Sequence, residues 1–378
     1  MAKYRFGDIC KVLNGRAYKQ NELLASGKYP ILRVGNFFSS DRWYYSDMEL
    51  PEDKYCDYED LLFAWSASFG PKIWDGEKVI YHYHIWKLIP NDDIADKWYL
   101  YYWLRHSVNR LTAGTHGSVM AHMTKGDMEN QTIELPSLQT QRKISSILRT
   151  IDEKIHNNVA INNNLEQQAQ AIFANEFLSL DTLPEGWKQA SLIDIADYLN
   201  GLAMQKYRPT ADESGIPVLK IKELRQGCCD DNSELCSPSI KSEYIIHDGD
   251  VIFSWSGSLL VDFWCGGICG LNQHLFKVTS SKYDKWFYYA WTKHYLDRFI
   301  AVATDKATTM GHIKRDELAK AEVLIPNEAD YNRIGTLLQP IYDLIIANRI
   351  ENKRLAETRD FLLPRLMSGE LDVSNIKI

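Results

Sequence analysis

The sequence predicts an α+β fold: two globular modules of mixed α/β structure, separated by two long helices that form an antiparallel coiled coil. Two observations indicate this architecture. The chain of 378 residues contains an internal repeat whose spacing is close to half its length, and each copy ends in a heptad pattern of apolar residues. A repeat of this length implies two similar modules related by a pseudo-two-fold axis, and such a molecule suits a target that also has two halves.

The repeat shows in four pairs of matching segments. The pairs are Asn14-Gly15 with Asn200-Gly201, LLFAWSAS (61–68) with VIFSWSGS (251–258), DKWYLYYW (96–103) with DKWFYYAW (284–291), and IELP (133–136) with VLIP (323–326). Each second segment follows its counterpart at close to half the chain length. The duplication therefore covers almost the whole chain.

The composition excludes several classes of protein. With 45% hydrophobic and 25% charged residues, the chain has the make-up of a soluble globular protein. No apolar run reaches the roughly 18 residues of a membrane span, and the first residues lack the apolar stretch of a secretory signal. Seven cysteines without a CxxC pair are typical of thiols in a reducing cytoplasm. We therefore expect a cytoplasmic protein with no membrane contact and no bound metal.

Each globular part is expected to combine short strands with one helix. In the first copy we predict strands in YPILRVGNF (29–37), DLLFAW (60–65) and KVIYHYHIWKLI (78–89), and a helix in WYLYYWLRHSVNRL (98–111). The segment 78–89 alternates and is rich in β-branched and aromatic residues, as a half-buried strand is. His82 and His84 would then point to one face of that strand. The second copy has the same order, with IPVLKIKEL (216–224), GDVIFSW (249–255), NQHLFKV (272–278) and a helix in KWFYYAWTKHYLDRFI (285–300).

After each globular part, apolar residues recur at alternating steps of four and three, which is the heptad spacing of a coiled coil. The first seam runs through Ile144, Leu148, Ile151, Ile155, Leu165, Ala169 and Ile172, and the second through Ile334, Leu338, Ile341, Ile345, Leu355, Leu362 and Leu366. Ser137 is the expected N-cap of the first helix. Two long helices with matched seams in one chain most simply pack on each other.

Polar residues interrupt both seams. Asn158 and Asn162 occupy the first seam, Asn348 and Asn352 occupy the second, and Asn162 and Asn352 are equivalent in the repeat. Polar residues at such positions lower stability but specify register and partner. Pro340 should kink the second helix or shift its effective start, because proline lacks the N–H group that a helix interior needs.

The expected domains are a first module (1–135), a first helix with a linker (136–182), a second module (183–325) and a C-terminal helix (326–378). A helix from Ser137 to Leu178 would be roughly 60 Å long at about 1.5 Å per residue. An antiparallel pair of such helices would place the modules at opposite ends and act as a spacer. This length disfavours an ordinary helical hairpin inside a compact domain.

The net charge of −7 argues against a nucleic-acid partner, but a contact surface is local. Four stretches contain basic residues and enclose no acidic residue. They are Asp8–Glu22 and Arg110–Lys125 in the first copy, and Asp197–Asp212 and Lys306–Arg315 at the corresponding places of the second. Matching basic stretches favour a polyanionic partner, and chance combined with solvated loops is the alternative.

Three segments resemble a known family: GSVMAHMTKGDMENQTIELPSLQTQRKISSILRTID (117–152), LPEGWKQASLIDIADYLNG (183–201) and NKRLAETRDFLLPRLMSGEL (352–371). The first joins a Gly-Ser loop, a short helix, an apolar strand ending in proline and a Gln-rich heptad helix. On these segments the chain resembles the specificity (S) subunit of type I restriction-modification systems over essentially its whole length. It departs from that pattern at NEADYNRI (327–334), where a proline- and glutamine-rich helix start is usual.

The resemblance implies that each module is a target recognition domain that reads one half of a bipartite site in double-stranded DNA. It also implies that the helices set the distance between the half-sites and dock two methyltransferase (modification) subunits. Those subunits would carry S-adenosylmethionine, and a complete complex would add restriction (translocase-nuclease) subunits. The family's S subunit has no cofactor and no catalytic activity of its own.

Catalytic motifs are missing from the sequence. It contains neither the Asn-Pro-Pro or Asp-Pro-Pro of a methyltransferase loop nor a GxxxxGK[ST] phosphate loop. Ser66 and Ser256 lack the GxSxG setting of a hydrolase. These observations favour recognition without catalysis. The runner-up is a non-catalytic coiled-coil scaffold with two protein- or carbohydrate-binding modules, which would not need paired basic stretches.

The predicted DNA contacts lie in the basic stretches and at two matching strand positions. Cations would bind phosphates, small hydroxyl residues would let the backbone approach closely, and contacts to base edges would give specificity. The candidates of the first copy are Arg16, Tyr18, Lys19, Arg33, Thr115, His116, Ser118, His122 and Lys125, and those of the second are Lys206, Tyr207, Arg208, Lys220, Thr308, Thr309, His312, Lys314 and Arg315. Trp65 and Trp255, at strand ends, are interpreted as core residues.

Overall fold

The computed structural model describes residues 1–38, 42–112, 123–305, 313, 315–374 and 376. The chain forms two compact units. The first combines Met1–Glu153 with Glu357–Ile378, and the second comprises Lys154–Ala356. Within the described ranges, no helix is both long enough and apolar enough to cross a membrane.

The described strands of the first unit form three sheets. They are β1 (Ala2–Arg5), β2 (Cys10–Asn14), β3 (Tyr29–Leu32), β4 (Tyr44–Ser46), β5 (Tyr55–Cys56), β6 (Leu61–Ser66), β7 (Ser68–Ile73), β8 (Val79–Tyr81), β9 (Ile85–Pro90) and β10 (Thr132–Leu135). An antiparallel sheet has the order β2-β9-β6-β7, and a mixed sheet has the order β4-β3-β8-β5 with β3 and β8 parallel. β1 and β10 form a separate antiparallel pair.

The second unit repeats this topology strand by strand. Its described strands are β11 (Lys188–Ser191), β12 (Asp197–Asn200), β13 (Ile216–Leu219), β14 (Leu235–Cys236), β15 (Ile245–Ile246), β16 (Val251–Ser254), β17 (Leu260–Phe263), β18 (Cys269–Leu271), β19 (Leu275–Thr279) and β20 (Glu322–Ile325). The sheets have the orders β12-β19-β16-β17 and β14-β13-β18-β15, and β11 pairs with β20. β13 and β18 are parallel, as β3 and β8 are. The duplication predicted from the sequence is therefore confirmed in the fold.

The helices follow the same duplication. The described helices are α1 (Phe6–Ile9), α2 (Val34–Phe38), α3 (Lys97–Thr112), α4 (Lys125–Glu129), α5 (Leu138–Phe173), α6 (Leu192–Ile195), α7 (Ile221–Gln226), α8 (Lys285–His294), α9 (Leu296–Asp305), α10 (Arg315–Ala319) and α11 (Glu328–Ser368). A π-helical turn, Ala174–Leu178, extends α5. α5 and α11 each contribute residues to both compact units.

The central strand β6 is buried on both faces, which explains its unbroken apolar run. Leu61 and Phe63 belong to the core beneath α3, and Leu62 and Ala64 belong to the core between the two larger sheets. Because side chains alternate along a strand, both sets must be apolar. β16 has the same double burial in the second unit.

The two long helices pair in an antiparallel sense within each unit. In the first unit, Ile144 and Leu148 of α5 share a core with Leu363 and Leu366 of α11. In the second unit, Ile334, Leu338 and Ile345 of α11 share a core with Ala169 and Phe173 of α5. The seam positions predicted from the heptads are buried or half-buried in both helices. The coiled-coil seam is therefore confirmed at the level of individual residues.

Reciprocal amide contacts cross the helix pair in the second unit. Asn158 Nδ2 donates to Asn352 Oδ1 at 2.8 Å, and Asn348 Nδ2 donates to Asn162 Oδ1 at 2.9 Å. Asn348 and Asn352 are the repeat equivalents of Asn158 and Asn162. Each bond thus joins the earlier asparagine of one copy to the later asparagine of the other, which is the relation that a pseudo-two-fold axis requires. A shift of one helix by a single residue would leave these buried amides without partners.

One arginine of α11 fastens the helix pair to the globular part in each unit. In the first unit, Arg359 donates to Asp152 of α5 at 2.8 Å, and the same carboxylate accepts the Tyr102 hydroxyl of α3 at 2.7 Å. In the second unit, Arg349 binds Glu166 of α5 at 2.8 Å and Asp262 of β17 at 2.6 Å. Charge-assisted contacts of this kind specify geometry more strongly than apolar packing does.

Both long helices begin at a side-chain cap. Ser137 Oγ accepts the backbone N–H of Thr140 at 3.2 Å, which confirms the predicted N-cap of α5. Asn327 Oδ1 accepts the backbone N–H of Asp330 at 2.9 Å and caps α11 in the same way. The two copies therefore cap their long helices with different residues, Ser137 and Asn327.

The strands predicted for YPILRVGNF and IPVLKIKEL are wrong in their second halves, where α2 and α7 follow β3 and β13. Asn36 Oδ1 accepts the backbone N–H of Arg33 at 3.3 Å, and Glu223 Oε2 accepts that of Lys220 at 3.3 Å. A polar side chain that satisfies a donor three residues earlier starts a helix. This local interaction overrides the β propensity of the preceding apolar residues.

The single strand predicted for 78–89 is also wrong, because it divides into β8 and β9 at the turn His82–His84. The backbone N–H of Ile85 donates to the carbonyl of His82 at 2.9 Å and closes this turn. The two histidines therefore do not share a strand face. The helix predicted for 285–300 divides at Tyr295, whose hydroxyl donates to the Glu322 carbonyl at 2.6 Å.

Pro340 lies inside α11, which begins at Glu328 and continues without a break to Ser368. The predicted shift of the helix start is therefore wrong. Pro340 removes the donor that would meet the carbonyl of Thr336. Both residues are exposed, so solvent can satisfy that carbonyl and the helix tolerates the proline.

A double-mutant cycle on Asn162 and Asn348 tests the amide pairing. Asn348→Leu leaves the buried Asn162 carbonyl oxygen without its donor, so we expect the free energy of unfolding to fall by about 1–3 kcal/mol. Replacing both residues with leucine removes the stranded group and should restore much of that loss. Denaturant unfolding of the full chain measures Asn348→Leu, Asn162→Leu and the double variant. Losses that simply add would show that the two amides are independent.

Candidate nucleic-acid interface

The predicted contact residues divide into those that the structure describes and those that it does not. Thr115, His116, Ser118, His122, Thr308, Thr309, His312 and Lys314 lie outside the described residues. The described candidates are Arg16, Tyr18, Lys19, Arg33, Lys125, Lys206, Tyr207, Arg208, Lys220 and Arg315. Their positions are set mainly by one close crossing of the chain in each unit.

In the first unit, the Asn14-Gly15 turn lies directly against the turn between β8 and β9. The backbone N–H of Arg16 donates to the carbonyl of Tyr81 at 3.0 Å, and that of Tyr83 donates to the carbonyl of Arg16 at 3.0 Å. A Cβ atom on Gly15 would lie 2.4 Å from the carbonyl oxygen of His82, so only glycine fits. The first crossing is defined as Asn14–Tyr18, Trp65 and His82–His84.

The second unit builds the same arrangement from different side chains. The backbone N–H of Leu202 donates to the carbonyl of Leu271 at 2.9 Å, and that of Gln273 donates to the carbonyl of Leu202 at 2.9 Å. A Cβ atom on Gly201 would lie 2.3 Å from the carbonyl oxygen of Asn272. The second crossing is defined as Asn200–Leu202, Trp255 and Asn272–His274.

A tryptophan braces each crossing from the adjacent strand. Trp65 Nε1 donates to the Tyr83 carbonyl at 2.8 Å, and the indole stacks on Trp86 at 5.4 Å. Trp255 Nε1 donates to Asn200 Oδ1 at 3.0 Å, and the indole stacks on Phe276 at 5.6 Å. Both indoles are half-buried and pack against their cores, in keeping with the structural interpretation from the sequence.

The carbonyl groups of the same tryptophans each hold one further backbone segment beside the crossing. The Trp65 carbonyl accepts the backbone N–H of Met123 at 3.3 Å, and the Trp255 carbonyl accepts that of Ile313 at 2.9 Å. The C-terminal flanks of two of the basic stretches therefore attach beside the two crossings.

Matching side chains close the two turns. His82 Nδ1 accepts the backbone N–H of His84 at 3.5 Å, and Asn272 Oδ1 accepts that of His274 at 3.3 Å. An imidazole nitrogen accepts only while the ring is neutral. Burial, with smaller contributions from His84 and Arg33, lowers the pKa of His82 to about 4. The acceptor is therefore present at neutral pH.

The cations of the first crossing are partly committed to partners inside the protein. Arg16 makes two hydrogen bonds to the Glu22 carboxylate, at 2.8 and 3.1 Å, and its guanidinium lies 5.0 Å from the centre of the Tyr18 ring. Hydrogen bonding from Arg16 lowers the pKa of Glu22 to about 2. Arg33 lies over the Tyr44 ring at 5.1 Å.

In the second unit, Glu234 holds two predicted contact residues. It pairs with Arg208 at 3.1 Å and with Lys220 at 2.5 Å. The hydrogen bond from Lys220 is the main reason that the pKa of Glu234 lies below its ordinary value. Lys206 is exposed, and the Tyr207 side chain next to it is 39% exposed.

The last two described candidates also have partners. Lys125 pairs with Glu129 one turn along α4, at 3.4 Å, and Arg315 donates to the Tyr198 carbonyl at 3.1 Å. Among the described candidates, Lys19, Arg33 and Lys206 are the cations without an ion pair or a hydrogen bond from the side chain to another described residue. Stretches that lack acids in the sequence are thus partly neutralised in space by acids that bound them or lie outside them, namely Glu22, Glu129 and Glu234.

The turns His82–His84 and Asn272–His274 were missed as parts of the site. The sequence predicted one continuous strand through His82–His84, whereas the strand predicted in the second copy began at Asn272. This difference between the two copies was the signal that could have revealed the first turn. In the described part of the chain, no group of three or more His, Cys, Asp or Glu side chains could hold a metal ion.

The depressed pKa of His82 predicts a loss of stability in acid. The folded protein binds this proton only near pH 4, whereas the unfolded chain binds it near the ordinary pKa of 6.5. The free energy of unfolding should therefore fall as the pH is lowered from 6.5 towards 4. His82→Asn, which introduces the residue found at 272, should remove that part of the decline. Denaturant unfolding across this pH range measures it, and parallel curves for the two proteins would exclude His82 as the cause.

Comparison with known proteins gives consistent matches. The family model of the type I restriction modification DNA specificity domain matches residues 1–167 and again residues 184–357. The type I restriction enzyme MjaIX specificity subunit of Methanocaldococcus jannaschii is 26% identical over 316 residues, which is 76% of this chain and 72% of that protein. The MjaVIII specificity subunit of the same organism is 23% identical over 351 residues, which is 84% of this chain and 80% of that protein.

A solved structure has the same fold. The crystal structure of a type I restriction-modification S subunit from M. genitalium matches with a TM-score of 0.61 at 13% identity, over 97% of this chain and 95% of that chain. The two ranges matched by the family model each contain one set of ten described strands. The chain therefore belongs to the type I restriction-modification DNA specificity family, and its role is that of a specificity subunit, which recognises DNA sequence.

Proposed function

We propose that the chain recognises a bipartite sequence in double-stranded DNA, with each globular part reading one half-site. The observation that carries this proposal is the strand-for-strand duplication of the sheets, together with a matching crossing in each copy. Two copies of one reading scaffold can each address one duplex segment. Different side chains on the same scaffold let the two segments differ in sequence.

Phosphate contacts supply most of the affinity in this proposal. Lys19 and Lys206 are exposed next to the two crossings, and both can reach a phosphate without giving up an ion pair to a described residue. Arg16, Arg208 and Lys220 have acidic partners, so they would exchange a carboxylate for a phosphate. The acidic partners limit non-specific attraction, in keeping with the net charge of −7.

The helix pair sets the distance between the half-sites and docks two methyltransferase subunits, which would bring S-adenosylmethionine to the complex. Restriction subunits would join through that assembly. This part of the proposal is supported by the passage of α5 and α11 through both compact units, and by exposed apolar residues on each helix. Val159 and Ile161 of α5 are 47% and 45% exposed, and Leu337 and Leu344 of α11 are 43% and 46% exposed. A contiguous exposed apolar patch marks a protein interaction site, and in this proposal these residues belong to the surface that the methyltransferase subunits cover.

The alternative, a scaffold with two protein- or carbohydrate-binding modules, is not favoured. The half-buried indoles that would suit a sugar are used to brace the crossings, and their N–H groups already have partners inside the protein. The family match also supports DNA as the target.

The salt dependence of DNA binding tests the phosphate contacts. Replacing Lys19 and Lys206 with alanine should lower affinity for all duplexes and reduce the slope of log Kd against log salt by about 1.8, since each phosphate contact contributes roughly 0.9. Lys3→Ala is the matched control, because Lys3 is exposed on β1 and lies outside both crossings. An unchanged slope in the double variant would remove these lysines from the interface.

A heptad insertion tests the spacer. Seven residues are added to α5 between Ile155 and Asn158 and seven to α11 between Asn352 and Leu355, which preserves the apolar seam and the asparagine pairs. The added length is about 10.5 Å, so mapping of methylated sites should find unchanged half-sites separated by about three more base pairs. Insertion into α5 alone breaks the pairing and should abolish assembly. An unchanged gap in the paired insertion would refute the spacer.

A further inference from the structure

The two crossings share a backbone arrangement and differ in several side chains, one of which is the central residue of the turn. Residues 82 and 272 use their side chains to close the turn, and residues 84 and 274 are histidine in both copies. The residue between them is Tyr83 in the first crossing and Gln273 in the second. The backbone of the turn is therefore the same in both units, and the central side chain differs in chemistry between them.

The backbone at the central position is held on the protein side. The N–H of Tyr83 donates to Arg16 and its carbonyl accepts from Trp65, at 3.0 and 2.8 Å. The N–H of Gln273 donates to Leu202 at 2.9 Å. The side chains are not needed for these bonds. Tyr83 is 38% exposed, and its hydroxyl has no hydrogen bond to a described residue.

The neighbouring histidines orient the two central side chains. The Tyr83 ring lies 3.9 Å from the His84 ring and 4.5 Å from the His82 ring, which restricts its rotation. Gln273 Nε2 lies 3.3 Å from His274 Nε2. The amide nitrogen donates one N–H there, and its oxygen and second N–H have no hydrogen bond to another described residue, so they remain a donor and acceptor pair for an outside partner. Selective recognition requires a side chain that is held in one orientation and still has hydrogen-bonding groups available for the target.

We propose that Tyr83 and Gln273 are specificity-determining residues, each in contact with a base of its own half-site. This inference rests on the proposed DNA recognition and names residues that carry it out. The Gln273 amide presents a donor beside an acceptor, which matches the N6 and N7 edge of adenine in the major groove. The Tyr83 hydroxyl and ring offer one hydrogen bond and an apolar face, which suits a pyrimidine edge with its methyl group. The structure thus assigns an adenine to the half-site of the second unit.

Selection from randomised duplexes tests the assignment, with the full chain assembled with its methyltransferase subunits. Gln273→Glu keeps the shape of the side chain and replaces the amide donor with an acceptor. It should lower enrichment of the preferred adenine at one position of one half-site by about 10- to 100-fold, and leave the other half-site and the gap unchanged. Tyr83→Gln should change the other half-site alone. Tyr58→Gln is the matched control, because Tyr58 is 71% exposed and lies outside the crossing.

The outcomes separate this inference from the proposed function. If the wild-type complex selects a bipartite sequence and both variants select the same one, the inference fails while the proposed function stands. If the wild-type complex selects no sequence, the proposed function fails and the inference fails with it. Equal changes in both half-sites from one variant would point to general damage and overturn the assignment. Gln273→Asn, which shortens the side chain and keeps its chemistry, should weaken selection of the same adenine without replacing it.

Discussion

The reciprocal amide pairing across the helices is the constraint on which the described architecture most depends. Leucine and isoleucine seams tolerate sliding by a heptad, because one apolar layer resembles the next. Buried amides do not, since an unpaired one costs about 1–3 kcal/mol. Asn158 with Asn352, and Asn162 with Asn348, select a single register. The same pairing expresses the duplication directly, because each bond joins one copy of the repeat to the other.

The crossings apply a different kind of constraint, which is steric. Gly15 and Gly201 let two backbone segments approach so closely that a single methyl group would collide with a carbonyl oxygen. Backbone atoms cannot rotate away as side chains can, so this contact is rigid. The rigidity holds a short turn at a defined place while leaving its central side chain free to differ. A duplicated scaffold can acquire two specificities in this way without any change to its folding.

Electrostatics in the molecule is more balanced than the arrangement of charges along the chain indicates. Glu22 pairs with Arg16 and Glu234 pairs with Arg208, and both arginines belong to stretches without acids. Glu234 also pairs with Lys220. Such pairs contribute little to stability at the surface. Their consequence is selectivity, because a phosphate must displace a carboxylate before it can bind these arginines and lysines. Among the described candidates, Lys19, Arg33 and Lys206 have neither an ion pair nor a side-chain hydrogen bond to another described residue, so a polyanion can bind them without displacing a partner.

Periodicity and repetition made the architecture predictable from the sequence. The heptads indicate which residues of each helix are buried, and the matched motifs indicate the duplication. The α+β class, the paired helices, the Ser137 cap and the family resemblance could therefore all be predicted. The element boundaries inside the globular parts could not be predicted, because Asn36 and Glu223 start helices through contacts three residues away that compete with β propensity.

The candidate site could be predicted only in part. The sequence by itself determined which residues are basic and which recur in both copies. Only the tertiary structure decided which cations meet an acid, and that the turns at 82–84 and 272–274 lie against the Asn-Gly turns, because those contacts join segments some seventy residues apart.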